Sequence, residues 1–147
     1  MDAREIVKQL NELAPPAMKT LRGKVVSFDP DEKILHLEFQ SVEQFTHSGG
    51  IVQGGFVTGM LDAAMTHAVY EVLQDLVIVP TLEIKVNFLE IARFGLLHAS
   101  GRVVRLGKSI AFLDSELRDP QGNLLATATS TARVIHAKPV TSGSLLK

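Results

Sequence analysis

The sequence predicts an α+β fold, a curved antiparallel sheet wrapped round one long central helix. Three observations carry that expectation. Residues 54–76 form a helix-like run that is apolar almost all round, and a helix of that kind is normally buried. Six other stretches read as strands, two before the helix and four after it. The chain has 147 residues, 46% hydrophobic and 21% charged, which suits one domain with a proper core, and no internal repeat is visible.

Composition also excludes several classes of function. The formal net charge is -1 and no basic stripe with interleaved aromatics occurs, so a nucleic-acid partner is not expected. There are no cysteines, which removes a disulfide framework, a thiolate nucleophile and a Cys-based zinc site. Metal binding is not expected either, because no His/Asp/Glu cluster has ligand spacing. No apolar run is long enough to span a bilayer, so no membrane partner is expected. The first five residues lack the basic and apolar regions of a signal peptide, and cytoplasmic residence is the expectation.

Taken in order, residues 2–14 read as a short amphipathic helix. Ile6, Val7, Leu10 and Leu13 share one face, Asp2 and Glu5 suit its N-terminus, and Pro15-Pro16 stops it. With a linker this makes an N-terminal segment of residues 1–22, ahead of a main domain of residues 23–136. Residues 23–28 form a strand, Asp29-Pro30-Asp31-Glu32 a turn, and residues 33–39 a second strand that completes a hairpin. Residues 40–52 are a polar, glycine-containing loop into the central helix, and Pro80 marks the boundary after it. Residues 79–89 set Leu82, Ile84, Val86 and Phe88 against Glu83, Lys85 and Asn87. Strands at 96–105, 108–118 and 124–136 follow, the last two joined by the turn Asp119-Pro120-Gln121-Gly122-Asn123. Residues 137–147, with Pro, Ser, Thr and Gly, read as a flexible tail.

The chemistry concentrates at the central helix. Gly54-Gly55 opens it, and glycine at a helix N-terminus lets unpaired N–H groups approach an oxyanion such as that formed from a thioester carbonyl. A tight turn into the helix would use the same residues. Asp62 lies mid-helix among apolar residues, where a carboxylate needs a partner. Thr66, four residues on, could supply a hydrogen bond and a purely structural explanation. Gly54 and Asp62 are eight residues apart, about 12 Å along a helix axis, too far for one copy of the helix to bring both to one reacting group. Two antiparallel copies in a symmetric dimer could do so, and the small residues Gly59, Ala63 and Ala64 would allow the helices to approach. His47 is either a hydrogen-bond donor, a general base or a loop residue, and His67 reads as core or interface.

The order His47-Ser-Gly-Gly-Ile-Val-Gln-Gly-Gly55 with Asp62 downstream resembles the hotdog-fold thioesterases, in particular the PaaI-like branch tied to phenylacetic acid degradation. Thr81-Leu-Glu-Ile-Lys-Val-Asn-Phe-Leu89, Gly95, Arg105-Leu-Gly-Lys-Ser109 and Asp119-Pro-Gln-Gly-Asn-Leu-Leu-Ala126 fit the same pattern, over residues 23–136. The resemblance implies a hotdog fold paired into a homodimer and often a dimer of dimers. It implies hydrolysis of an acyl-CoA at the subunit interface, with no cofactor beyond the coenzyme A of the substrate. By the same resemblance Asp62 is the nucleophile or general base, Gly54 gives its N–H to the thioester oxygen, Thr66 assists the acid and Thr81 positions water. Lys108 and Ser109, with Arg105 or Arg93, would meet the coenzyme A phosphates, while Gln53 and Gly55 border the substrate. His47 stands where the family usually has Asn, and Gln53 where it usually has His. Phe45, Phe56, Met60 and Phe88 are candidates for an apolar acyl pocket.

Two other functions compete with this one. Hotdog β-hydroxyacyl dehydratases also pair a loop His with a helix carboxylate, as His47 and Asp62 could, although their Pro-rich loop is absent. A non-catalytic acyl-CoA-binding domain is the other, against which the presence of Asp62 argues.

Overall fold

The computed structural model describes residues 2–75 and 77–136, and the tail expected at residues 137–147 lies outside them. Helix α1 covers Ala3–Glu12, and Asp2 caps it. The Asp2 carboxylate accepts from the N–H groups of Arg4 and Glu5 at 2.9 Å each, and Glu5 accepts from the Asp2 N–H at 3.2 Å. That reciprocal pair closes the first turn. Ile6 alone of α1 is fully buried, and Leu13, expected on the packed face, is 61% exposed at the helix end. Pro15-Pro16 does more than stop α1. Pro16 occupies the first position of a second helix, α2 (Pro16–Thr20), where a missing N–H costs nothing, and Met18 of that helix is buried. The expected linker is therefore helical.

Strands β1 (Gly23–Asp29) and β2 (Ile34–Ser41) form the expected hairpin. Two short 3-10 turns, Glu43–Phe45 and Ser48–Gly50, lead to helix α3 (Gly54–Leu73). The helix ends earlier than expected because Gln74 turns left-handed, with φ 49° and ψ 39°. Strands β3 (Val77–Ile78), β4 (Thr81–Phe88), β5 (Gly95–Leu106), β6 (Ile110–Arg118), β7 (Leu124–Arg133) and β8 (Ile135–His136) follow. Six of these strands make one antiparallel sheet in the order β1-β2-β5-β6-β7-β4, while β3 pairs with β8. The break between β7 and β8 falls at Val134, whose N–H turns to the Ser109 carbonyl at 2.7 Å.

The sheet is gathered round α3, which touches β2, β4, β5, β6 and β7, and this is the hotdog arrangement. Val57, Met60, Leu61, Ala64, Met65, Ala68 and Val69 of the helix are all buried, as its all-round apolar sequence requires. Contact is closest at β5, where a Cβ on Gly101 would overlap the carbonyl of Ala64. The two edges of the sheet differ. At β1, Asn11 of α1 donates to the Val25 carbonyl at 2.9 Å and accepts from the Val25 N–H at 2.8 Å, beside a bulge between Val25 and Ser27. The other edge, β4, carries Leu82 and Phe88 at 59% and 57% exposure, while Ile84 and Val86 between them pack partly against the core.

Two polar groups of α3 are buried. His67 donates from Nδ1 to the Ala63 carbonyl, 2.8 Å away, and desolvation lowers its pKa against the pull of that bond and of the Asp62 charge. Glu71 is 2% exposed, and neither carboxyl oxygen has a hydrogen-bond partner among the described residues. Desolvation raises its pKa to about 7.

Two outcomes follow from this packing. Gly101→Ala should destabilise the fold by more than about 3 kcal/mol, because backbone stands where the methyl would go, and chemical denaturation measures it. The Glu71 carboxyl binds its proton more tightly folded than unfolded, so its stabilising contribution is complete below pH 4.5 and is lost as pH rises to about 7. His67 has the opposite sign, because its lowered pKa contributes stability that is lost as pH falls. The Glu71→Gln variant should therefore gain about 1–3 kcal/mol on the parent between pH 5 and pH 8. Parallel denaturation curves at the two pH values isolate that difference.

Candidate active site

The N-terminus of α3 has its donors sorted by the residue before it. Gln53 is the N-cap, and its side-chain Oε1 accepts from the Gly55 N–H at 2.8 Å. Its backbone carbonyl accepts from the N–H groups of Phe56 and Val57 at 3.0 and 3.3 Å, and its own N–H goes to the Phe45 carbonyl. The Gly54 N–H is left with no acceptor among the described residues. The Phe88 ring lies over this position, so close that a Cβ on Gly54 would stand 3.2 Å from it. Gln53 therefore caps the helix and leaves one donor open, and Gly55, whose N–H is taken, is not that donor.

A groove of about 400 Å³ opens at this point. His47, Gly54, Phe88 and Ala92 are among its walls. His47 is exposed, and its Nδ1 lies 3.0 Å from the Ser48 hydroxyl. Arg93 donates from Nη1 to the Gly49 carbonyl at 2.8 Å and so braces the glycine loop. Phe45 does not line this groove. It is 6% exposed and stacks on Phe56 with ring centres 4.5 Å apart, which makes the pair part of the core, as is Met60. Of the four expected pocket residues only Phe88 faces the groove.

Asp62 lies two turns further along α3 and is half-buried. Its carboxylate accepts from the Thr81 hydroxyl at 2.6 Å, a short bond to a charged acceptor. Thr81 opens β4, and the register shift between Thr81 and Glu83 sits beside it. Thr66 acts differently from expectation. Its hydroxyl donates to the backbone carbonyl of Asp62 at 3.0 Å, the back-bonding common for a helical Thr, and leaves the carboxylate alone. The structural explanation that Thr66 offered for Asp62 is thereby removed, and Thr81 takes its place. Two of the three small helix residues are also used within the chain, since Ala64 meets β5 and a Cβ on Gly59 would face Leu21. Ala63 remains half-exposed.

Arg105, Lys108 and Ser109 are exposed at the turn between β5 and β6. Leu106 pairs with Ala111, Ala111 with Ala132 and Ala132 with Thr81, so that turn lies at the Asp62 end of the sheet. Arg93 sits at the Gly54 end, and the structure separates it from the other three. Among the described residues no group of three or more His, Asp or Glu side chains is placed to hold a metal ion, and no helix is long and apolar enough to cross a membrane. Sequence reasoning passed over Glu71, although a second carboxylate in the same apolar run was a signal for it.

The sequence profile of the thioesterase superfamily matches residues 49–126, from the glycine loop through α3 and Asp62 to β7. The chain belongs to the thioesterase superfamily. Two curated relatives are candidate esterases of Saccharolobus solfataricus. One is 26% identical over 93% of this chain and 96% of its own length. The other is 34% identical over 72% of this chain and 71% of its own length. A crystal structure from Ralstonia eutropha JMP134, of a candidate thioesterase described as related to phenylacetic acid degradation, is 32% identical with a TM-score of 0.78. It covers 87% of this chain and 98% of that one.

Thr81→Val deletes the only hydroxyl that reaches the Asp62 carboxylate among the described residues. It should cost about 1–2 kcal/mol in a denaturation experiment, and Thr81→Ser should recover most of that loss.

Proposed function

We propose that the protein hydrolyses acyl-CoA thioesters at a site completed by a second copy of the chain. The observation that carries the proposal is the division of labour along α3. One open donor, the Gly54 N–H, stands at its first position, and one carboxylate, Asp62, is held by Thr81 eight residues later. That spacing is about 12 Å on a helix, whereas a reacting carbonyl needs both within about 3 Å. A two-fold arrangement of antiparallel helices supplies Gly54 from one protomer and Asp62 from its partner, and makes two sites. The open β4 edge with its exposed Leu82 and Phe88 is suited to such pairing, because it offers both unpaired backbone and apolar area.

At each site the thioester carbonyl would point at the Gly54 N–H, where negative charge develops. Attack on the carbonyl carbon, by water activated at Asp62 or by the carboxylate itself, forms the new C–O bond. The C–S bond then breaks and coenzyme A leaves as the thiol, taking a proton. If the carboxylate attacks, water hydrolyses the resulting anhydride and frees the acid. Thr81 occupies one carboxylate oxygen, Oδ1, which orients the other toward the substrate. His47 shares the groove with Gly54 and would add a hydrogen bond to the carbonyl, and Phe88 would cover the acyl group. Arg105, Lys108 and Ser109 at the Asp62 end would meet the phosphates of coenzyme A. A hotdog dehydratase pairing His47 with Asp62 is the reading to set against this one, since an exposed imidazole lines the groove.

Free-thiol release from a panel of short, medium, long and aromatic acyl-CoAs should show turnover that Asp62→Asn lowers by at least about 100-fold. Hydration of an enoyl thioester without thiol release would favour the dehydratase. Complementation tests the shared site. Gly54→Pro removes the N–H at the first helix position, where the backbone suits proline and the end of the Phe88 side chain must give way to the ring. Each inactive variant alone should stay inactive. When they are refolded together, mixed dimers carry one intact site, and about a quarter of parental activity should return. A mixture as inactive as its parts, or sedimentation of a fully active monomer, would overturn the two-chain site.

A further inference from the structure

A second cavity, of about 370 Å³, lies between α1 and the C-terminal half of α3 and shares no lining residue with the groove at Gly54. Ile6, Leu10 and Leu13 of α1 and Val77 of β3 give it an apolar wall. Gln9, His67, Tyr70, Glu71, Gln74 and Asp75 give it a polar one. Its size falls within the range of about 300–1,000 Å³ usual for small-molecule pockets.

Glu71 is the informative residue here. It is 2% exposed, both carboxyl oxygens lack a hydrogen-bond partner among the described residues, and it lines the cavity. A buried carboxyl in that condition is costly unless a donor reaches it from the cavity side. Two neighbouring groups have contacts of their own. His67 uses Nδ1 at the Ala63 carbonyl, and its ring stands edge-on to Tyr70 with centres 5.5 Å apart. Asp75 meets His136, with 3.5 Å between Oδ2 and Nδ1. Among the described residues no Lys or Arg lines the cavity, and the acidic groups there are Glu71 and Asp75. The cavity lining includes the Glu71 carboxyl, whose oxygens are closed off from the cavity until the side chain turns toward it, and the amides of Gln9 and Gln74. An ammonium group is the complement of such a set, with three donors, a positive charge and no acceptor of its own. A neutral alcohol brings one donor and an oxygen that would face the carboxylate.

We propose that this cavity binds a small primary amine, its ammonium group pairing with the Glu71 carboxylate and its apolar body packing against Ile6, Leu10, Leu13 and Val77. The inference stands apart from the thioesterase reading, because none of these residues belongs to the machinery assigned there. Ammonium binding holds Glu71 in its ionised form. At pH 7, near the raised pKa of the free carboxyl, complex formation therefore releases a fraction of a proton.

Titration calorimetry of the full chain with 2-phenylethylamine tests the proposal, with 2-phenylethanol as the neutral comparator. The amine should bind at least about tenfold more tightly than the alcohol, and Glu71→Gln should remove that preference. The amine's binding enthalpy at pH 7 should vary with the ionisation enthalpy of the buffer, as proton release requires. Leu13→Trp provides a second variant, since Leu13 is 61% exposed at the cavity's edge and can be enlarged without entering the core. It should weaken the amine at least about tenfold through occlusion. Amide shifts on titration should fall at Ile6, Leu10, Glu71 and Val77 and leave Gly54 and Phe88 unmoved. Equal binding of amine and alcohol, an unaffected Glu71→Gln variant, shifts confined to the Gly54 groove, or no saturable binding of the amine would overturn the proposal.

Discussion

The distance between α3 and β5 governs the rest of this molecule. At Gly101 the sheet approaches the helix until no room remains for a single methyl group beside the Ala64 carbonyl. That approach lets one helix of twenty residues fill the hollow of a six-stranded sheet. Met60, Leu61, Met65, Ala68 and Val69 then pack without exposure. It also fixes the rotation of α3, and rotation decides which residues look outward. Asp62, Ala63, Thr66 and Tyr70 share the half-buried side, while His67 and Glu71 are turned inward.

Three polar groups of the helix, Asp62, His67 and Glu71, sit among apolar neighbours, and the fold treats each one differently. Asp62 receives a hydroxyl from the start of an edge strand. His67 bonds the preceding turn of its own helix and is held toward the neutral form by desolvation. Glu71 receives nothing from the described residues and is held toward its neutral form by burial. Chemical use tends to follow from such differences. A supported carboxylate stays available for reaction, whereas an unsupported one is a place where a donor from outside gains more than it would at the surface.

Much of the fold was legible because its signals are local. The alternation in residues 33–39 and 79–89, the Asp-Pro turns and the all-round apolar run each act over a few residues, and the strands lie where those patterns put them. Legibility stopped where a residue's role depends on what folding brings near it. Thr66 and Thr81 are both hydroxyls within reach of Asp62 on paper, but helix geometry directs Thr66 to a carbonyl and only the strand pairing brings Thr81 to the carboxylate. Phe45 looked like a pocket residue until its stacking on Phe56 became visible. Gln53 was legible as a departure from the family's usual His. Its work as a cap, which occupies the Gly55 donor and so singles out Gly54, depends on three-dimensional placement. Helix α2 escaped because Pro-Pro reads as a stop, whereas the second proline is also a good first residue.

The unlike edges of the sheet have a consequence for crowded solutions. Strands with free backbone on both flanks can add neighbours indefinitely, which is the geometry of fibrils. Here the Asn11 amide sits on the outer strand as a plug, matching both the N–H and the carbonyl of Val25. With β1 covered at Val25 in this way, β4 is the more open of the two edges of the six-stranded sheet for adding another strand. Strand addition is therefore opposed at one edge of the sheet, and a small helix that looks like an appendage shields that edge at Val25.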